Sequence, residues 1–571
     1  MTRNLAAALP YLRYPDKART IWIDAIAVNQ KDLNERSSQV RRMADIFTKA
    51  RRVVVWLGCE SSSTALALNY ISAANSEARI DWKSLEVHTT TSDSYWASGS
   101  IPLRAEESEA SALLEFFSSS WFERLWIRQE ITLAPPNSIV MCGSLSIPWE
   151  SVRGFIYLLS RKLPPDVPSG LPLDLRMSSV FYLCFSGFSV SLNRLLRSTK
   201  NCKCTDPRDR IFAILSMLRE EDFGNGIEPD YTKTVPEVYT DAVVWWSTFR
   251  GKLDILESCS LDRRLDGAPS WVPNFMIPDS RGFLGHCNAT SGMSSVFTFQ
   301  GGVLEVLGLS VARVGKIGPS GFVLLTVEDI VLALKSIIGQ YLPHDELPTE
   351  SGRFQSICQL IMQGSWAEIW NPPKEHIFPR KDQIFQTLLK IQTTCSLPEP
   401  TAKENQFLSL VVENLRGKTI FMTEEGRLGL GPETMQVGDV VAIFLGRGPA
   451  TILRPGSSQF HELVGDAYCD GLMDGEALLG PLPGQWERVD VQDEEMSSWW
   501  TAFVDRGTGA TQTEDPRLGD LPKGWSRKSH EKERFWTQFV NDEGEVSRKD
   551  PRLFPKALRD RGVDLRVFRL V

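Results

Sequence analysis

The stretch from Thr20 to Gly58 constrains the fold most, because it reads as a strand, a helix and a second strand in quick succession. Thr20 to Ile26 is a β-branched and aromatic run with one acid, Asp24, near its end, and the polar turn Asn29-Gln30-Lys31 stops it. Such a run predicts a buried parallel strand. Asp32 can cap the following helix with Glu35 as its capping-box partner, and Val40, Met43, Ile46, Phe47 and Ala50 recur at helical spacing. Arg36, Arg41, Arg42 and Lys49 then fall on the wet face. Arg52 to Gly58 predicts a second buried strand, and two parallel strands joined by a helix make a right-handed βαβ unit. Ligands sit beyond the C-terminal ends of such strands, so the loop holding Asp24, Asn29 and Gln30 is a candidate binding loop. Turn formation explains the same residues equally well, since Asn and Gln at a strand end satisfy free backbone groups.

With 571 residues the chain exceeds what one core supports, so several domains are expected. A net charge of −8 gives no global attraction to nucleic acid or to an anionic membrane. The ten cysteines are scattered, and Cys202 and Cys204 are too close in sequence for a zinc hairpin. The six histidines are dispersed as well, so no metal site is expected and the thiols are read as reduced. No apolar run is long enough to span a bilayer and no signal peptide precedes the first helix, which makes a cytoplasmic location the expectation. Walker, nucleophile-elbow and kinase motifs are absent.

Residues 1–150 read as the α/β unit, with a polar insertion from about Glu60 to Glu109 and a last strand at Ser138 to Cys142. Residues 151–410 read as mostly helical, with proline turns at Pro164-Pro165 and Pro372-Pro373. Residues 411–480 change character: Val440 to Leu445 and Thr451 to Leu453 alternate with glycine turns, which predicts a small β-barrel or compact sheet. The tail repeats itself over 481–519 and 520–571, where Trp486, Trp500 and Asp515-Pro516-Arg517-Leu518 recur as Trp525, Trp536 and Asp550-Pro551-Arg552-Leu553. Each copy resembles a WW domain, a three-stranded sheet closed by its first Trp on its last Pro, which pairs Trp486 with Pro516 and Trp525 with Pro551. Ala502 and Thr513, then Gln538 and Arg548, stand where the aromatic groove would be, so proline-rich ligands are not expected. Residues 480–522 hold three basic against nine acidic side chains, and residues 523–571 thirteen against eight. Complementary packing of the two copies is one reading of that contrast, and two solvated surfaces the other.

The string Trp22-Ile23-Asp24-Ala25-Ile26, Asn29-Gln30, Glu35-Arg36, Gln39-Val40, Met43 and Val55-Trp56-Leu57-Gly58 resembles the fungal heterokaryon-incompatibility (HET) domain. Further blocks follow in order: Trp121-Phe122 with Arg124, Trp126, Gln129 and Glu130; Thr205-Asp206-Pro207-Arg208-Asp209; Asp230-Tyr231; Pro269-Ser270-Trp271-Val272-Pro273; and Gly465 to Glu476. The resemblance implies an effector of non-self recognition and regulated cell death that works with protein partners or by self-association. It also implies a parallel sheet like that of Toll/interleukin-receptor (TIR) domains, several of which cleave NAD with a helix-borne Glu near a Trp. Glu130, on a helix from Trp121, would be that carboxylate, with Trp126 beside it and Asp24, Asn29 and Gln30 facing it. NAD would then be substrate, with no bound cofactor. Family members begin with a strand ahead of the helix that here spans about Asn4 to Arg13, so the sheet is expected to lack its first strand and hydrolysis to be weak. The same residues also suit purely structural roles: Glu130 can be a buried partner of an Arg, and Asp206, Pro207 and Asp209 fit the start of a helix. An interaction module without enzymatic activity, or an inactive paralogue, fits the same blocks.

Overall fold

The structure is a computed structural model that describes residues 3–89, 95–96, 104–162, 180–184, 191–218, 226–277, 287–322, 324–342, 352–375, 377–394, 396–457, 459–493, 498–528 and 538–571. Pro164-Pro165 and Trp536 lie outside the described residues. The fold mixes helices with several sheets and divides into two units. Unit 1 is Met1–Trp246 with Phe275–Pro278, and unit 2 is Ser247–Asn274 with Asp279–Val571.

In unit 1 the Leu33–Lys49 helix starts where its cap is: the Asp32 carboxylate accepts from the amides of Asn34 and Glu35. Glu35 reaches further back than a capping box requires and accepts from the Asn29 amide at 2.9 Å, which pins the preceding loop. Val54–Gly58 pairs in parallel with Ile139–Cys142, and Gly143, at φ 56°, turns the chain into the antiparallel strand Leu145–Pro148. The helices Thr64–Glu77 and Glu107–Phe117 lie in the crossover between the two parallel strands. Behind the sheet, Ile71, Phe122, Val152, Phe155 and Ile156 are buried in one apolar cluster.

Two expectations for this unit fail. Thr20 to Ile26 is not a strand: Ile23 is extended, Asp24–Ala27 closes one helical turn, and Ile21 and Ile26 stay exposed. Its aromatic residue is used on a helix instead, with Trp22 edge-on to Phe47 at 5.9 Å. β-branched content reports a preference that only a pairing partner makes real. Trp121 to Glu130 is likewise not one helix. A 3-10 turn at Ser120–Glu123 ends at Arg124, and a new helix runs Ile127–Thr132. The break is held by backbone pairing with a distant strand-like segment, Leu125 N–H to Lys203 O at 2.9 Å and Lys203 N–H to Glu123 O at 2.6 Å.

Unit 2 is built on a closed antiparallel barrel. Six strands follow one another around it: Leu428–Pro432, Lys418–Thr423, Val303–Ile317, Val440–Phe444, Ala450–Pro455 and Phe460–Cys469, which pairs back to the first. Closure leaves no free edge among these six. Gly429 is required by the closeness of the walls, since a Cβ there would stand 2.1 Å from the Phe421 ring. The barrel therefore reaches outside residues 411–480. The long strand Val303–Ile317 comes from the stretch read as mostly helical, and Arg566–Leu570, at the far end of the tail, pairs with it and with Phe460–His461. Four helices, Val327–Tyr341, Gly352–Met362, Lys381–Thr394 and Ala402–Leu415, fill the connection after that long strand. They bury Leu334, Ile337, Phe354, Leu388, Phe407 and Val411 in the same cluster as Ile420, Phe421, Ile443 and Ile452 of the barrel. Thr326 and Thr401 start two of them with full capping boxes.

The repeated segments lie between two barrel strands. Trp486–Asp493, Ser498–Asp505 and Thr511–Gln512 form an antiparallel sheet that Trp370–Asn371 extends in parallel, and Trp525–Lys528, Gln538–Asn541 and Val546–Ser547 form a second, three-stranded one. Among the described residues, charge complementarity between the copies narrows to one residue: Glu514 of the first receives Arg527 at 2.8 Å and Arg552 at 2.5 Å from the second.

Candidate functional site

In unit 1 the blocks read from sequence converge on Asp209. This residue, 4% exposed, accepts from the Trp126 indole at 3.0 Å, from the Tyr231 hydroxyl at 2.5 Å and from Arg36 at 3.4 Å. Arg36 also pairs with Asp206 at 2.9 Å and lies 3.6 Å over the Tyr231 ring. Far from taking the wet face, Arg36 joins the Leu33–Lys49 helix to segments more than a hundred residues away. Ser37, one residue on, is buried and accepts the Tyr231 amide at 2.9 Å. Burial pushes the Asp209 carboxyl up, while the Tyr231 and Trp126 donors and the Arg36 charge pull it back. Burial also pushes on Asp206, yet the side chain and amide of Arg208 and the charge of Arg36 hold it below the usual carboxylate range.

Asp206 and Pro207 form a turn ahead of the short helix Asp209–Phe212, with Asp206 accepting the Arg208 amide. The same Asp-Pro-Arg geometry occurs three times. In Asp206-Pro207-Arg208, Asp515-Pro516-Arg517 and Asp550-Pro551-Arg552 the aspartate takes the Arg amide at 3.1, 3.0 and 2.9 Å and Arg Nε at 2.9 Å in each. Its second oxygen takes Nη2 at 2.9, 2.7 and 2.6 Å. Neutralised locally, each guanidinium is left with Nη1 to aim at a backbone carbonyl. Arg208 reaches Tyr231 and Lys233, Arg517 reaches Gly480, and Arg552 reaches Gly519. In the tail, each fork thus fastens the end of a repeat to the residue ahead of its beginning. Trp486 and Pro516 are half-buried, Pro551 is buried, and Trp525 meets Phe554 edge-on at 5.8 Å.

Glu130 stands apart from the Asp209 network, although Trp126 lies on the same short segment. It is half-buried, and its carboxyl is pushed up to about 7 by desolvation, with the exposed Arg124 pulling it down and Asp24 adding a repulsive charge. Asp24 is thus one of the charges that act on Glu130. Asp24 is half-buried and accepts the Ala25 amide, Asn29 accepts the Lys31 amide, and Gln30 is exposed. The latter pair forms the turn that its composition suits. A glutamate held near 7 in the folded chain keeps a proton that the unfolded chain has released, so folding stability falls as pH rises from about 4.5 to 7. Denaturant midpoints of wild type and Glu130→Gln across that range are expected to show the fall in the first and a flatter profile in the second.

Among the described residues no group of three His, Cys, Asp or Glu side chains is arranged to hold a metal ion, and no helix is long and apolar enough to cross a membrane. Arg36 and Tyr231 were legible as parts of blocks, but the stacking of one on the other was not. Only the spacing of charged and aromatic residues around Asp206 and Asp209 signalled that they belonged together.

An α/β unit whose ordered blocks meet at one buried aspartate, and a closed barrel in the other unit, match two known families. Residues 1–130 match the heterokaryon incompatibility protein (HET) family, and residues 392–480 match the Het-6 beta-barrel domain. Together these matches support a HET-domain protein. It is 25% identical to heterokaryon incompatibility protein 6, OR allele, of Neurospora crassa over 587 aligned positions that cover 83% of this chain and 85% of that protein. No solved structure matches the chain.

Proposed function

We propose that this chain is an effector of fungal non-self recognition and regulated cell death, and that unit 1 acts by cleaving the nicotinamide–ribose bond of NAD at Glu130. The incompatibility role is supported by the HET match and by the name of the Neurospora relative. The observation that carries the chemistry is a carboxyl pushed up to about 7 by desolvation, with the charge of Asp24 acting on it as well. A carboxyl raised toward neutrality by burial suits the acid–base and charge-stabilising work of glycosyl transfer. In the reaction the ribosyl C–N bond breaks, its electron pair leaves with nicotinamide, and water adds to the sugar carbon while its second proton passes to solvent. Near neutral pH part of the Glu130 population is ionised, and that charge would stabilise the developing sugar cation.

Expression in a fungal or yeast host is expected to be toxic and to lower cellular NAD, and Glu130→Gln is expected to abolish both while the chain stays folded. Gln keeps the size and hydrogen bonding of the side chain and removes its charge. A Gln variant that stays toxic with normal NAD would favour a non-enzymatic assembly instead. That second reading draws on Ile26 and Leu33, which are 63% and 40% exposed beside the same loop.

A further inference from the structure

We infer that unit 1 has a second ligand site, independent of Glu130, for a phosphorylated small molecule: the groove between the first helix and the segment after it. The groove is open to solvent, has a volume of about 450 Å³ and is lined by Leu9, Leu12, Arg13, Tyr14, Lys17, Arg19 and their neighbours up to Ile21. That volume lies within the usual range of small-molecule sites. Three of its lining residues are cations and none is an acid. In a chain of net charge −8 this is a local reversal, and among the described residues none of the three is held in an ion pair. Their directions are partly fixed in advance. Arg19 donates to the Leu12 carbonyl at 2.8 Å, and both Arg19 and Lys17 rest over the Tyr14 ring, at 4.8 and 5.1 Å from its centre. A guanidinium already held by a carbonyl and a ring loses less freedom when it grips an anion.

The chemistry of the walls then selects the ligand. Arg13, Lys17 and Arg19 suit the several oxygens of a diphosphate, where the charge-assisted bonds are strong. Leu9, Leu12 and Ile21 offer an apolar wall, and Tyr14, 39% exposed, offers a ring to a flat heterocycle. The shared group is a diphosphate, and its source is either free pyrophosphate or a nucleotide.

Calorimetric titration of the full chain with sodium pyrophosphate and with ADP tests this. Saturable binding of both, weakening with added salt, is expected, with ADP tighter if the apolar wall and Tyr14 are used and equal affinity if the source is the free anion. Arg13→Gln with Lys17→Gln should weaken both ligands about tenfold or more, because each loses a charge-assisted bond. These two side chains are exposed and Arg19 is left in place, so an unchanged melting temperature is expected and is measured alongside. Tyr14→Phe should leave binding intact, and Tyr14→Ala should weaken ADP more than pyrophosphate if a base is bound. Absence of saturable heat with either ligand, binding that the double variant leaves unchanged, or binding of a glutamate-rich peptide in place of both would overturn the assignment. Because the readout is heat of binding and not loss of NAD, failure at Glu130 leaves this result untouched.

Discussion

Asp209→Ala is expected to cost unit 1 about 3–5 kcal/mol, the range for removing one partner from a buried charged pair. The magnitude follows from what is left behind. Arg36 loses one of its two carboxylates, while the indole of Trp126 and the hydroxyl of Tyr231 lose the acceptor they share. Each of those donors sits where water enters poorly, and an unmade bond to a buried polar group costs about 1–3 kcal/mol. Against a typical net stability of about 5–15 kcal/mol, the loss would take much of what keeps such a unit folded. Urea unfolding followed by Trp fluorescence measures it, and Asp209→Asn is the informative companion. Asn keeps one acceptor oxygen for Trp126 or Tyr231 but removes the charge opposite Arg36, so its cost should fall between wild type and alanine. Equal midpoints for all three would mean that Arg36 and Asp206 hold these segments together without Asp209.

The same residue shows how far the sequence could be read. Thr205 to Asp209 looks like a helix start, and its turn does form, but periodicity along one segment cannot report a carboxylate shared by residues 83 and 22 positions away. The helix Leu33–Lys49, its Asp32 cap and the strands at 54–58 and 139–142 follow from local rules and were legible, but the parallel pairing of those two strands with each other was not, since 52–58 was expected beside 20–26. The strand expected at 20–26 failed because its residues satisfy strand preference without a neighbour to pair with, and Trp22 found Phe47 first. Barrel membership failed for a related reason. Val303–Ile317 is alternately buried along part of its length, a pattern a short window shares with its helical surroundings, and its two neighbours in the barrel lie more than a hundred residues ahead in sequence. At the candidate site, Glu130 and Asp24 could be named from family resemblance, but what makes Glu130 distinctive, desolvation next to a second acid, exists only once the chain is folded.

Cutting the chain after Leu565 is expected to destabilise unit 2 by about 3–6 kcal/mol, although the removed segment lies far from the rest of the barrel in sequence. Arg566–Leu570 runs antiparallel to the long strand from Gly308 to Leu304 and is parallel to Phe460–His461. Phe568 and Leu570 are 3% and 0% exposed, and burying each such side chain contributes about 1.5–3 kcal/mol. Phe568 meets Phe444 at 5.5 Å and His461 at 5.6 Å, so its loss opens a gap against both strands. Val571 adds a backbone clasp: its carbonyl accepts from the Ser270 amide and hydroxyl, and its amide donates to His461. Ser270 in turn receives the Leu463 amide, which ties the Pro269-Ser270-Trp271 block to the same corner. The repeats between 481 and 565 are therefore an insertion held at both ends, and the cut should convert them into a tail open to protease at one end while lowering the melting temperature of unit 2. Phe568→Ala tests the packing alone and should reproduce much of the destabilisation without freeing the repeats, separating the anchor from the tether. An unchanged melting temperature in both variants would show that the six-stranded barrel closes without its returning strand.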